Sequence, residues 1–200
     1  MSENRNMFYV RVHRWVGGIF KLFFPLQVEG LEHVTGESVI FCPNHSSAID
    51  PLMMAFALPR NYPLRIMAKK QLMDIPLLGW FLRKLGVFGV DRGNSDIQSV
   101  KTAIRALRGG SSLLMFPEGT RVDEDENVEA KGGVSMIAIR SGVKMQPVYI
   151  DTEKRLFRKT RVIIGAPYAP VYTGKKGTAE EYQANADEIM RQAYQLGETK

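Results

Sequence analysis

The sequence predicts a single α/β domain in which one mixed, mostly parallel sheet is flanked by helices. The chain has 200 residues, of which 44% are hydrophobic and 24% charged, as in one ordinary globular domain. Short β-rich runs alternate with helical stretches along the chain, which is typical of α/β folds. Most of the β-rich runs are continuously apolar, and this pattern indicates strands that are covered on both faces.

Six short runs are predicted as strands: Ser38–Cys42, Leu64–Ala68, Gly86–Val90, Ser112–Phe116, Gln146–Ile150 and Arg161–Gly165. Helices are predicted around them at Pro51–Leu58, Pro76–Leu85, Asp96–Leu107, Lys131–Arg140 and Ala179–Leu196. A proline at the first helical position begins two of these helices, and two glycines follow the third. The elements therefore alternate without an internal repeat.

Residues 1–30 are predicted to form an amphipathic helix that associates with a membrane. Basic residues interrupt the apolar stretch Met7–Leu26, so it is neither a spanning helix nor a secretory signal. Helical spacing places on one face the residues Val12, Trp15, Val16, Ile19, Phe20 and Phe23. This face is equally compatible with packing on the core and with a helix that lies in a membrane interface.

The composition limits the classes of partner. Lys and Arg number 27 against 21 Asp and Glu, a net charge of +6, and basic residues concentrate in residues 1–24 and 151–176. Such patches attract nucleic acid, anionic lipid or a phosphorylated substrate, or are simply solvated. Nucleic acid is not predicted, because no aromatic stacking platform accompanies the basic stretch 154–161. The lone Cys42 and three histidines predict neither a disulfide nor a metal site.

A histidine and an aspartate five residues apart suggest catalysis. His45 follows a predicted strand, where open α/β sheets place their ligand sites. Asp50 precedes Pro51, so residues 44–50 form a turn in which the carboxylate can reach the imidazole. Such a pair provides a general base for a substrate hydroxyl. The alternatives are that Asp50 only caps a helix and that His45 is an ordinary loop histidine. Neither neighbouring serine lies in a nucleophile-elbow pattern.

Two further strand ends carry polar groups. Arg92 follows one predicted strand, and Arg121 follows another together with a carboxylate, a glycine and a hydroxyl. Two arginines at the ends of two strands can converge on one phosphate. Gly119 permits a close approach between the backbone and a ligand.

Taken in order, four blocks resemble those of the glycerolipid acyltransferase family, in particular its bacterial 1-acylglycerol-3-phosphate acyltransferases. The blocks are NHSSAID, GVFGVDR, FPEGTR and MQPVYI, which begin at residues 44, 86, 116 and 145. The resemblance covers about residues 39–150 and makes residues 31–200 the acyltransferase catalytic domain.

The resemblance also implies a role for individual residues. His45 would be the general base, and Asp50 would orient and charge-stabilise it. The residues implied in binding the phosphate and glycerol are Arg92, Glu118, Gly119, Thr120 and Arg121, with Lys69 adding positive charge. Pro147 would belong to the acyl-donor region. Backbone amides near Asn44–Ser46 or Gly119 are the candidate oxyanion donors.

The implied reaction moves a fatty acyl group from acyl-CoA or acyl carrier protein to the sn-2 hydroxyl of 1-acylglycerol-3-phosphate (lysophosphatidic acid). No metal or organic cofactor and no acyl-enzyme are expected. The alternatives are acylation of glycerol-3-phosphate or another lysophospholipid and, in a different class, a non-catalytic lipid-binding module. We expect a peripheral enzyme of phospholipid biosynthesis on the cytoplasmic face of the cell membrane. Its basic stretch Lys154–Arg161 would contact anionic lipid or an acidic carrier protein. The helix Pro76–Leu85 would line an acyl tunnel.

Overall fold

The computed structural model of the chain describes residues 6–91, 96–119 and 131–198. Its sheet has seven strands: β1 (Leu26–Glu29), β2 (Val39–Pro43), β3 (Leu64–Lys69), β4 (Val87–Val90), β5 (Ser112–Leu114), β6 (Lys144–Ile150) and β7 (Thr160–Ile164). Their order across the sheet is β1-β7-β6-β2-β5-β3-β4. The helices are α1 (Met7–Phe23), α2 (Asp50–Ala57), α3 (Lys70–Asp74), α4 (Pro76–Lys84), α5 (Ile97–Arg108), α6 (Gly133–Ser141) and α7 (Ala179–Glu198).

The sheet is mixed and mostly parallel, which confirms the predicted fold class. Strands β6, β2, β5, β3 and β4 run parallel to one another, whereas β7 is antiparallel to β6 and parallel to β1. The carboxyl ends of the five parallel strands therefore meet at one edge of the sheet. We call this the C-terminal edge.

The core lies on both faces of the sheet because successive strand residues point to opposite sides. In β2, Val39 and Phe41 join a buried cluster that includes residues of α2, and the partly buried Phe20 of α1 packs against it. Ile40 and Cys42 join a second cluster that contains residues of α5, α6 and α7. Both faces of β2 are thus covered, as its continuously apolar sequence predicts.

Two elements were not predicted from the sequence. Strand β1 pairs with β7 at the sheet edge, and the short helix α3 follows β3 directly. Strand β1 lies within residues 1–30, which the sequence analysis set apart from the catalytic domain. The sheet therefore begins before residue 30, and α1 is the part of residues 6–30 that precedes the sheet.

The orientation of α1 differs from one of the two interpretations of its apolar face. Tyr9 and Gly17 are its buried residues, and Gly17 lies against the ring of Phe56. Of the predicted face, Phe20 packs on the core, but Trp15 and Ile19 are 71% and 63% exposed. Core packing through the whole predicted face is therefore wrong, because the helix turns most of it toward solvent. No helix of the described residues is long and apolar enough to span a bilayer.

Candidate active site

The turn between β2 and α2 folds around the carboxylate of Asp50. One oxygen, Oδ2, lies 3.0 Å from Nδ1 of His45 and accepts hydrogen bonds from the backbone N–H groups of Ser46 and Ser47 at 2.8 and 2.7 Å. Asp50 is the first residue of α2, whose N-cap is Ile49. The alternative in which Asp50 serves only as a helix cap is therefore wrong, because its side chain bonds backward into the turn.

These contacts determine which nitrogen of His45 can act as a base. An ionised carboxylate only accepts hydrogen bonds, so Nδ1 carries the proton and Nε2 keeps its lone pair. The described part of the chain provides no hydrogen-bond partner for Nε2. The ring packs on Phe116 with centroids 4.1 Å apart, and its side chain is 12% exposed. The arrangement presents an oriented imidazole whose Nε2 can accept a proton.

The second oxygen of Asp50 is paired with a buried lysine. Nζ of Lys154 lies 2.8 Å from Oδ1 of Asp50 and 2.5 Å from Oγ of Ser46. Burial alone would raise the pKa of Asp50, but the hydrogen bond with His45 and the ammonium of Lys154 outweigh it and hold that pKa below its ordinary value. The carboxylate is thus stabilised in its ionised form.

Glu118 holds the backbone of His45 from the opposite side. Its Oε2 accepts a hydrogen bond from the backbone N–H of His45 at 2.8 Å, and its Oε1 accepts one from the hydroxyl of Tyr194 at 2.5 Å. Burial raises the pKa of Glu118 above its ordinary value, although both hydrogen bonds lower it. Glu118 is 2% exposed. It therefore braces His45, and its substrate-binding role stays a prediction.

Asn44 fixes the start of the turn to the neighbouring strand. Its side-chain amide donates to the carbonyl of Ile150 at 3.0 Å and accepts from the N–H of Ile150 at 2.8 Å. These two bonds join the carboxyl ends of β2 and β6 and complete the pairing that the strands begin. His45, the next residue, is consequently held at a defined position on the C-terminal edge.

A mostly apolar cavity of about 190 Å³ is bordered by Phe116, whose ring packs on His45, although none of its lining residues belongs to the turn 44–50. Its lining includes the apolar residues Met67, Val100, Met115, Phe116, Met136 and Ile137, together with Gly119, the cation Lys131 and the two acidic residues Asp91 and Asp96. The ring of Phe116 also packs on the imidazole of His45, so Phe116 contacts both His45 and the cavity. None of the described residues around this cavity comes from α4, so the expectation that Pro76–Leu85 lines an acyl tunnel stays a prediction.

The other predicted binding residues are distributed unevenly. Arg92, Thr120 and Arg121 lie outside the described residues. Gly119 borders the cavity with a left-handed φ of 74°, which suits glycine. Lys69 is exposed at the end of β3, on the same edge as His45.

Pro147 does not border the cavity. It is buried within β6 beside Cys42 of β2, and a Cβ added at Gly165 would lie 2.8 Å from its ring. The neighbouring Gln146 is also buried, and its amide donates to the carbonyls of His33 and Gly165. Pro147 and Gln146 thus serve packing here, and the acyl-donor role of Pro147 stays a prediction.

The backbone amides that were expected to bind an oxyanion are already occupied. The N–H of His45 donates to Glu118, and that of Ser46 donates to Asp50. The N–H of Gly119 donates to the carbonyl of Phe116 at 3.0 Å. The expectation is therefore wrong for these three amides, because the turn uses them to hold its own carboxylates and backbone.

Sequence reasoning missed two residues of this site. Lys154 was assigned to a basic surface stretch, but its side chain is only 5% exposed and it pairs with Asp50. Its position shortly after a predicted strand end was the available signal. Tyr194 lies on α7, and nothing in its surroundings along the chain marks it as a partner of Glu118. Within the described ranges, no group of three His, Cys, Asp or Glu side chains is arranged to hold a metal ion.

The combination of a parallel α/β sheet and a His-Asp pair at its C-terminal edge is matched by a known family. The model of the family described as Acyltransferase matches residues 25–151, which include β1 through β6 and the whole turn. The chain belongs to the acyltransferase family.

Individual relatives support this assignment. The chain is 35% identical over 149 residues to the 1-acyl-sn-glycerol-3-phosphate acyltransferase of Bacillus subtilis, a match that covers 71% of this chain and 73% of that protein. It is 37% identical over 131 residues to the enzyme of the same name from Streptococcus pneumoniae, which covers 63% of this chain. The matched part spans only 47% of that relative's length.

A solved structure shows the same fold. The 1-acyl-sn-glycerophosphate acyltransferase PlsC from Thermotoga maritima aligns with a TM-score of 0.68 over 98% of this chain and 78% of its own, at 24% sequence identity.

Proposed function

We propose that this protein transfers a fatty acyl group from a thioester, acyl-CoA or acyl carrier protein, to the sn-2 hydroxyl of 1-acylglycerol-3-phosphate. The product is phosphatidic acid, and the reaction belongs to phospholipid biosynthesis. Membership of the acyltransferase family supports the reaction class. The acceptor is supported by the names of the relatives from Bacillus subtilis and Streptococcus pneumoniae.

The observation that carries this proposal is the geometry of His45. Nε2 accepts the proton of the acceptor hydroxyl while the hydroxyl oxygen forms a bond to the thioester carbonyl carbon. The carbon–sulfur bond then breaks, and the departing thiolate receives the proton from the imidazolium. Asp50, 3.0 Å from Nδ1, stabilises the positive charge that the ring carries between these steps. A thioester and an alcohol give an ester and a thiol, so no further reactant is required.

The phosphate of the acceptor is bound by cations at the C-terminal edge. Lys69 stands exposed at the end of β3, and Lys131 borders the cavity near Gly119. Arg92 and Arg121 follow β4 and β5 in the chain, and guanidinium groups bind phosphate in bidentate geometry. The apolar cavity beside Phe116 suits an acyl chain, because it removes methylene groups from water.

The enzyme works at an anionic membrane surface on the cytoplasmic side. The exposed face of α1 presents Trp15, Ile19 and Leu22, which are 71%, 63% and 67% exposed. The basic side chains Arg14 and Lys21 lie exposed on the same helix. Exposed aromatic and aliphatic residues flanked by cations are typical of helices that lie in a membrane interface. This position gives the active site access to lysolipids.

An acceptor panel tests the proposal. Purified protein receives palmitoyl-CoA or palmitoyl carrier protein together with 1-acylglycerol-3-phosphate, glycerol-3-phosphate or 1-acylglycerophosphocholine, and mass spectrometry follows the products. We expect phosphatidic acid to form faster than any other ester, because the cations favour a phosphate monoester beside an acyl chain. A preference for glycerol-3-phosphate would reassign the acceptor. Vesicle binding without any transfer would instead favour a non-catalytic lipid-binding module.

A further inference from the structure

A buried cation touches the carboxylate that orients His45. Nζ of Lys154 lies 2.8 Å from Oδ1 of Asp50 and 2.5 Å from Oγ of Ser46, and the Lys154 and Asp50 side chains are 5% and 0% exposed. An ammonium is strongly hydrated, so removing it from water is costly unless it is paired. The pair therefore stands out from the surface ion pairs of the chain.

The surrounding sequence does not require this lysine to be buried. Lys154 lies in the connection between β6 and β7, and the side chains of Arg155, Arg158 and Lys159 in the same connection are exposed. Lys154 instead points inward, and its Nζ contacts Oδ1 of Asp50, the carboxylate oxygen that accepts no hydrogen bond from the turn. The other oxygen already accepts from His45, Ser46 and Ser47.

We propose that Lys154 is a positioning residue that acts through Asp50 on the general base. Its ammonium fixes the orientation of the carboxylate and offsets part of the negative charge that faces the imidazole. It thereby sets the pH range in which His45 is neutral and can accept a proton. The inference rests on the proposed function, in which His45 is the base.

Three charged or titratable groups surround His45 from different elements. Asp50 contacts its ring from the start of α2, and Glu118 contacts its backbone from the segment after β5. Lys154 reaches Asp50 from the segment after β6. Tyr194 of α7 stands behind Glu118 and is one step further away. Lys154 is the positive member of this set, so its removal leaves His45 between two carboxyl groups.

The test compares charge and shape at position 154. Lys154→Gln and Lys154→Met remove the ammonium, Lys154→Arg keeps a positive charge, and Lys159→Gln removes an exposed lysine from the same connection. NMR of the imidazole carbon signals follows the titration of His45 in each full-length protein, with His45→Ala used for assignment. Acyl transfer to 1-acylglycerol-3-phosphate is measured over the same pH range, so that the protonation of His45 and the reaction rate are compared directly.

We expect the titration midpoint of His45 to rise by about one pH unit in both neutral variants, because an uncompensated carboxylate favours imidazolium. The midpoint of the acidic limb of the pH–rate profile should move to higher pH by the same amount, so that activity recovers at alkaline pH. Lys154→Arg and Lys159→Gln should keep the wild-type midpoint. Lys154→Gln retains a hydrogen-bond donor, which favours folding if Lys154→Met does not fold.

An unchanged His45 midpoint in a folded neutral variant would overturn the inference, as would activity lost equally at every pH. Failure of both neutral variants to fold would also overturn it, since Lys154 would then serve the fold alone. The NMR midpoint is independent of turnover. A shifted midpoint in a protein without acyltransferase activity would therefore refute the proposed function and leave the role of Lys154 intact.

Discussion

The turn at residues 44–50 and helix α1 depart from ordinary protein architecture in opposite ways. The turn buries charge: Asp50 is 0% exposed and the side chain of Lys154 only 5%. Helix α1 instead exposes apolar surface, with Trp15 71% and Leu22 67% accessible. Charged groups are seldom fully buried unless they are paired, and contiguous apolar surface is seldom left in water.

The two regions differ in where their unusual groups find partners. The buried charges are compensated within the chain: three of the four carboxylate oxygens of Asp50 and Glu118 accept hydrogen bonds, and the fourth, Oδ1 of Asp50, lies 2.8 Å from the ammonium of Lys154. The outer side chains of α1 are not covered by the described part of the chain. In the proposed function, the turn is preorganised for chemistry before a substrate arrives, whereas the exposed face of α1 binds a membrane surface.

Asp50→Asn should have the largest effect on the turn. An amide cannot hold His45 in the same tautomer as a carboxylate, so kcat should fall by a factor of about 100 to 10,000. The ammonium of Lys154 loses its partner, and the free energy of unfolding should fall by about 3 kcal/mol near neutral pH. Steady-state kinetics and urea unfolding measure the two effects. The matched control is Asp187→Asn, at an exposed position on α7.

The same variant makes a prediction about pH. The folded-state pKa of Asp50 lies below its ordinary value, so its ionisation stabilises the fold fully above that ordinary value. This stabilisation declines below the ordinary value and is lost as pH falls through the folded-state pKa. The difference in unfolding free energy between wild type and Asp50→Asn should therefore shrink below about pH 4. A difference that stays constant down to about pH 3 would contradict the ion pair.

Removing the exposed apolar side chains of α1 should weaken membrane binding and spare the fold. Trp15→Ser combined with Ile19→Ser should lower partitioning into anionic vesicles at least about 100-fold, since each side chain contributes roughly 1.5–3 kcal/mol when buried. Both are already exposed, so the thermal midpoint should hardly change. Vesicle sedimentation measures binding, with Val171→Ser, at a position 72% exposed, as control. If the double variant bound vesicles as well as the wild type does, α1 would not be the membrane-binding element.

Tyr194→Phe tests the brace behind the histidine. It removes the hydroxyl that donates to the buried Oε1 of Glu118, which should cost about 1–3 kcal/mol of unfolding free energy. Activity should fall several-fold, because Glu118 also holds the backbone of His45. Tyr182→Phe on the same helix removes a hydroxyl that bonds an exposed loop carbonyl and should change little. Similar losses in both variants would refute a special role for Tyr194.

Two adjacent glycines of α1 give the smallest and most local test. A Cβ at Gly17 would lie 2.9 Å from Cδ1 of Phe56, whereas one at Gly18 would meet nothing within 4 Å. Gly18→Ala should stabilise the protein by about 0.5–1 kcal/mol through helix propensity. Gly17→Ala should gain nothing or destabilise, because the ring of Phe56 must move. Thermal unfolding measures the stability of both variants. Equal gains in stability would mean that α1 lies farther from the core than the contact between Gly17 and Phe56 indicates.

The sequence predicted the sheet better than the site. All six predicted strands are present within about two residues at each end, because buried parallel strands are short, continuously apolar runs. The four-residue edge strand β1 was missed, since its side chains alternate between half-buried and exposed positions and make no such run. The close approach of His45 and Asp50 was predicted from Pro51, which lies in the first turn of α2.

The remaining features depend on the folded chain. Helical periodicity shows which residues of α1 share a face, but only the packing of Gly17 on Phe56 shows which face turns inward. Lys154 meets Ser46 across 108 positions of sequence and Tyr194 meets Glu118 across 76, so no local pattern marks either contact.

The most direct test of His45 as the general base is the turnover of His45→Ala beside that of His33→Ala, with 1-acylglycerol-3-phosphate as acceptor. His33 is a half-exposed histidine whose Nε2 lies 3.9 Å from Oε1 of Glu32, outside the turn 44–50, so its loss should leave turnover unchanged. His45→Ala should lose at least about 100-fold in kcat while its unfolding free energy stays near that of the wild type. A folded His45→Ala protein that acylates the acceptor at the wild-type rate would contradict the mechanism.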